Sequence, residues 1–216
     1  MTARDTPSSG GLTPSQVSDD GASVIEGGAA LSATDELCLS APLFATQVDV
    51  LREMLGAEGM ERTVESLPDH LADLARAAPR LGWVPYEHVE QIVTVAAAYA
   101  GQPVAEFQHR MVLRVAERTF SGIWGILVRL TSPRALMKRA AALFRRTYSK
   151  GQLSWVSDAK GCMQLALRGV QSPSDYFLRG VAYSVETALR HTGATGVRFT
   201  MKRLPNGADY ELTWRT

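Results

Sequence analysis

Four histidines and two cysteines are the residues of this chain best suited to ligating a metal or attacking a substrate. Only His109 has apolar company. At helical spacing it shares a stripe with Ala105, Val112, Leu113 and Ala116. A ring nitrogen on such a face could ligate a metal or a haem iron. The commoner role for a lone histidine there is a hydrogen-bonded core position, and that is the reading preferred. His70 and His88 lie in polar surroundings and read as surface residues. His191 falls in the last turn of a predicted helix, where the helix dipole favours a cation. Cys38 and Cys162 are far apart and fit neither a metal knot nor a disulfide framework. Cys162 opens a predicted strand with no histidine near it, so it reads as a small core residue rather than a nucleophile. The sequence contains no phosphate-binding glycine loop, no Ser-centred elbow, no paired-His helix and no CxxC. The expectation leans away from an enzyme.

Two other sets of residues could bind something. Trp124, Phe144, Trp155, Phe199 and Trp214 could line an apolar pocket between helices and sheet. Core packing is the commoner use of such aromatics. The second set is basic. From Arg129 to Lys150 there are seven bases and no acid, whereas Met1 to Asp69 holds twelve acids and three bases. Placed at 100° intervals, Arg134, Lys138, Arg139, Arg145, Arg146 and Lys150 share one side of a helix. No acid lies at i,i+4 to neutralise them, so this face could hold an acidic partner or phosphate. A solvated face is the competing reading. The net charge of +1 argues against nucleic acid and against an anionic membrane. No apolar run is long enough to span a bilayer, and no signal-peptide core precedes the first helix. Reduced thiols then fit a cytoplasmic protein.

The elements that must position these residues follow from periodicity. Residues 1–33 are rich in Ser, Gly, Thr, Asp and Ala with no apolar period, and read as a disordered tail. Residues 34–216 read as one α+β domain, with a helical part over 43–150 and a sheet part over 151–216. The first helix runs over Phe44–Leu55 and ends before Gly56; a second helical region covers Met60–Ala77, broken at Pro68. Pro85 fits the first turn of the next helix, and Gly101 its stop. Pro103 opens a helix expected to reach Leu130. Ser132 and Pro133 start the basic helix, with Leu136, Ala140, Leu143, Phe144 and Thr147 inward.

After Gly151 the period becomes two. The spacing predicts strand, strand, helix, strand, strand in an antiparallel sheet, helices on one face. Trp155, Leu165, Val197, Phe199, Met201, Leu212 and Trp214 form the inner face. Ser172 is the expected cap of the intervening helix, with Pro173 first inside and Gly193 as its stop. Asn206-Gly207 reads as the turn of the last hairpin. That turn pairs Phe199 with Trp214, Met201 with Leu212, Thr200 with Thr213 and Lys202 with Glu211.

The stretches "WVPY" (83–86), "FSGIWGILVRLTSPRALMKR" (120–139), "FRRTYSKGQL" (144–153) and "YELTW" (210–214) resemble a family of uncharacterised proteins, known mainly from myxobacteria as paralogues. The likeness covers Phe44 to Trp214. That family is similar in layout to haem-nitric-oxide-binding domains and to four-vinyl-reductase-type small-molecule-binding domains. The resemblance implies a pocket between the helical and sheet halves. The haem domains hold propionates with Tyr-x-Ser-x-Arg; the region "MQLALRGVQSPSDYF" has Arg168 but no such motif, and no histidine lies between Gly151 and His191. No cofactor is therefore expected. The leading expectation is a sensory or regulatory module that binds a small apolar ligand. An adaptor using the basic face is the alternative, and a haem-based gas sensor through His109 is the third.

Overall fold

Proline punctuates the helices. A pyrrolidine ring has no N–H to waste and its fixed φ suits a first turn. The helices, numbered in chain order, are α1 (Ala41–Glu65), α2 (Asp69–Ala77), α3 (Tyr86–Tyr99), α4 (Val104–Thr119), α5 (Pro133–Thr147) and α6 (Asp175–His191). Pro42, Pro68, Pro85, Pro103, Pro133 and Pro173 each stand at or within two residues of a helix start. The computed structural model describes residues 36–119 and 133–215. The tail, Trp124 and the expected extension of α4 to Leu130 lie outside the described residues.

Gly56 breaks α1 as expected, with φ 73° and ψ 175°, and the helix resumes beyond it to Glu65 rather than ending. Its first arm buries Phe44, Val48 and Leu51, and its second buries Met60 and Val64. A ribbon of β1 (Cys38–Ser40) and β2 (Trp83–Pro85) ties the start of α1 to the start of α3, with Leu39 opposite Val84. Three-residue strands carry no usable period, so this ribbon was not legible in the sequence. β1 also receives the end of α5: Cys38 N donates to Ser149 Oγ at 2.8 Å, and Ser149 N donates to Cys38 O at 3.0 Å.

The sheet comprises β3 (Gln152–Ala159), β4 (Cys162–Arg168), β5 (Thr195–Leu204) and β6 (Gly207–Arg215). Its order is β3-β4-β6-β5, antiparallel throughout, with α6 connecting β4 to β5. The protein is thus α+β, helical first and sheet last. Leu165, Leu167, Tyr210 and Leu212 are buried on the inner face; Gln164, Glu211 and Lys202 are exposed on the other. Among the described helices none is long and apolar enough to cross a membrane.

Three expectations need correction. The last hairpin turns at Pro205-Asn206, so Phe199 pairs with Leu212, Met201 with Tyr210 and Lys202 with Asp209. Gly207 belongs to the strand because β6 presses on β4 there: a Cβ on Gly207 would lie 2.0 Å from Leu167 O. The shift is two residues, so every side chain keeps its face. The cap of α6 is Ser174, whose Oγ accepts from Phe177 N at 3.1 Å. Ser172 instead donates its N–H to Pro205 O at 2.9 Å, which holds it in the loop. Leu143 is 54% exposed. Phe144 takes the inward position against Tyr148, and Leu143, one step of 100° away, faces outward.

Candidate functional site

Where α3, α5 and α6 meet, the interior is aromatic. Tyr86 opens α3, Phe144 lies in the last turn of α5 with Tyr148 directly after it, and Tyr176 and Phe177 lie in the first turn of α6. Tyr148 lies 4.7 Å from Phe144, 5.3 Å from Phe177 and 5.9 Å from Tyr86 between ring centroids. Tyr86 also meets Tyr176 at 5.9 Å and Phe177 at 5.1 Å. Tyr210 enters from β6 and donates its hydroxyl to Leu178 O at 3.1 Å.

Burial raises the pKa of all four tyrosines above the ordinary phenol value. For Tyr86 and Tyr176 the other phenols and the Glu90 carboxylate push further in the same direction. These hydroxyls are therefore neutral. Among the described residues, those of Tyr86, Tyr148 and Tyr176 make no hydrogen bond to the protein. Glu90 is held on α3 by Ser174 Oγ, which donates to its Oε2 at 2.7 Å.

α4 supplies the one amide in this region. Gln108 is 1% exposed. Its Nε2 donates to Tyr176 O at 2.8 Å, and its Oε1 is buried with no donor. Gly180 makes room for it: a Cβ there would sit 3.0 Å from Gln108 Nε2 and 3.2 Å from the Tyr86 hydroxyl oxygen. A glutamine on an otherwise apolar helix face was the available sequence signal, and no motif drew attention to it.

His109 is next on α4. Its ring stacks on Tyr183 at 4.4 Å and 23°. Nε2 lies 3.3 Å from Glu186 Oε2 on α6. Glu186 is 4% exposed, and its other oxygen accepts from Arg190 Nη2 at 2.5 Å. His109 thus joins α4 to α6 through a carboxylate. Among the described residues no three His, Cys, Asp or Glu side chains gather as a metal site. Cys38 and Cys162 are free thiols, and burial raises the pKa of both, with Glu211 adding to it at Cys162.

The remaining candidates are spread over other surfaces. Trp155, Phe199 and Trp214 are half-buried on the inner sheet face, and Phe199 meets Tyr183 edge-on at 5.6 Å. Among the described residues of the expected pocket, Phe144 alone joins the tyrosine cluster. Arg145 and Arg146 are exposed, while Lys150 is half-buried with its charge near Cys38. The side chains of Arg134, Lys138 and Arg139 lie outside the described residues.

This arrangement, helices first and a four-stranded antiparallel sheet crossed by one helix, is the fold of H-NOX domains. The Fe(II) unliganded H-NOX protein from K. algicida aligns with a TM-score of 0.62 at 7% identity, over 82% of this chain and 97% of that one. A mutant H-NOX from T. tengcongensis aligns at 0.58 and 10% identity, over 82% and 98%. An oxygen-binding H-NOX domain related to soluble guanylate cyclases aligns at 0.56 and 13%, over 82% and 96%. By sequence, the chain belongs to the family described as protein of unknown function DUF2378, whose profile matches residues 45–215. No curated protein matches it.

Proposed function

We propose that this protein is a sensory or regulatory module, cytoplasmic and non-enzymatic, that binds a small, neutral, mainly apolar molecule between its helices and its sheet. One observation carries the reading: Gln108 Oε1, buried without a donor, lies in the region of three phenols that make no hydrogen bond among the described residues. Burying a polar atom unpaired costs about 1–3 kcal/mol. A ligand that donates to Gln108 and accepts from a tyrosine would remove that cost. The neutral phenols and the Glu90 carboxylate disfavour an anion. In this reading Phe144, Trp155, Phe199 and Trp214 form the apolar wall; Trp124, expected with them from the sequence, lies outside the described residues.

Haem is the cofactor that the fold family implies, and these residues do not fit it. Haem iron takes an axial His, thiolate, phenolate or Met. His109 is engaged by Glu186. His70 and His88 meet each other edge-on at 5.4 Å, and His191 ends α6. The phenols of the cluster and both thiols are held protonated. Arg168, the candidate for a propionate, is taken by Asp209 at 2.5 Å.

Native mass spectrometry of the protein purified from its own host tests the proposal. A retained small molecule, lost in Gln108→Leu, is the expected result. Bare protein at its sequence mass, with no thermal shift from any small neutral compound tested, would sink it. A second reading rests on Arg145 and Arg146, exposed and without an ion pair among the described residues. Reversing both to Glu should abolish capture of an acidic protein partner; unchanged capture identifies a solvated face.

A further inference from the structure

α4 carries arginine at positions 110, 114 and 118. Spacing of four puts all three along one side of the helix. Arg118 is answered by Glu53 and by Asp49 on α1. Arg110 and Arg114 are exposed and make no ion pair or hydrogen bond among the described residues. Lone surface arginines are ordinary, but these two stand over a recess. Its volume is about 90 Å³, and Met54, Ala100, Gln102 and Phe107 complete the lining.

The recess has a definite chemistry. Met54 comes from α1 and Phe107 from α4; Phe107 is 1% exposed and Met54 packs against the core. Both contribute carbon to the lining, so part of the floor is apolar. Gln102 sits in the turn between α3 and α4, where its N–H donates to Ala97 O at 3.0 Å. Its side-chain Oε1 is buried with no donor. Two guanidinium forks, a partly apolar floor and one orphan acceptor are thus gathered around one small space. Guanidinium binds carboxylate in a two-point geometry. The floor suits a short hydrocarbon body. The orphan oxygen suits a hydroxyl or amine on that body. The volume is below the roughly 150 Å³ that accommodates benzene, which limits the body to a few carbons.

We propose that this recess between α1, α3 and α4 is a binding site for a short carboxylate bearing one hydrogen-bond donor, such as a hydroxy acid. The carboxylate bridges Arg110 and Arg114 at the rim, the carbon body lies on Met54 and Phe107, and the donor reaches Gln102 Oε1. The site is separate from the interior around Gln108, and its ligand is an anion where that one is neutral.

NMR titration of the full-length protein at constant ionic strength tests it, with 3-hydroxybutyrate, butyrate and inorganic phosphate as probes. The expected result is saturable binding of 3-hydroxybutyrate that moves the Met54 methyl resonance. Butyrate, lacking the donor, should bind several-fold more weakly. Phosphate, lacking the body, should not move the Met54 methyl. Arg110→Gln/Arg114→Gln should weaken 3-hydroxybutyrate about tenfold or more, as loss of a two-point charge contact requires. Both side chains are exposed, so an unchanged melting temperature would separate this loss from misfolding. Ala100→Leu, which fills the recess and leaves the arginines in place, should abolish binding. The proposal is overturned if 3-hydroxybutyrate does not saturate, if phosphate binds equally well, or if the double variant binds as wild type.

Discussion

Gln108 and His109 are consecutive residues of α4, both reach α6, and they meet desolvation in opposite ways. His109 keeps about a third of its side chain in water, and its buried Nε2 lies 3.3 Å from the Glu186 carboxylate without the geometry of a hydrogen bond. Gln108 is buried, spends its N–H on the Tyr176 carbonyl, and leaves its oxygen unanswered. The pair teaches that a polar side chain at a helix contact is not one kind of feature. Where a carboxylate lies beside the buried atom, the contact ties two helices together as a joint. Where there is none, the atom stays unmet and the fold bears the cost.

The largest effect should come from the phenols around Gln108. Their pKa values are raised in the folded state, so each favours folding while it stays protonated. That contribution is complete below the unfolded phenol pKa of about 10 and is lost as pH rises through the folded values. Alkaline titration should therefore show tyrosinate absorbance appearing together with loss of near-UV circular dichroism, not before it. Early ionisation of these phenols in folded protein would contradict a dry interior.

Next is the joint. Glu186→Ala strands His109 and Arg190 and should cost about 2 kcal/mol in urea unfolding, less than for a fully buried pair because both partners are partly solvated. A cost under about 0.5 kcal/mol would make the contact ornamental.

Gly180→Ala puts a methyl against Gln108 and Tyr86 and should destabilise by about 1–2 kcal/mol through crowding. It should also displace any molecule bound there. Gln108→Leu should have the smallest effect, within about 1 kcal/mol of wild type, because the lost bond to Tyr176 is offset by removal of the orphan oxygen. A large loss would mean that Gln108 is held by structure alone. Chemical denaturation compares the two variants directly.

Much of the frame was legible. Prolines and glycines placed the helix starts and breaks, and the switch from helical to alternating period at Gly151 marked the start of the sheet. The inner sheet face was read with its residues intact, although the hairpin register was two residues off. Asn206-Gly207 is a strong local turn signal, and local signals say nothing of β4. Pairing with Arg168 of β4 takes Gly207 into the strand, and the period of two protected the faces. The candidate site was less legible. Tyr86, Tyr148 and Tyr176 come from three segments widely separated in sequence, and no spacing rule relates them. Leu143 and Phe144 were both placed inward, and the packing buries only Phe144.

The sequence alone determined the order of helices and strands, the α+β class and the inner sheet residues, because these depend on periods and on backbone limits of Pro and Gly. Tertiary structure decided which polar residues lose their water. Gln108 and His109 differ by one helical step, and Arg114 and Arg118 by one turn. Only the packing of α6 and of α1 against α4 gives Glu186 to one, Glu53 to another, and, among the described residues, no partner to Gln108 Oε1 or Arg114. Charge pairing depends on distances between segments far apart in the chain, which local sequence does not encode.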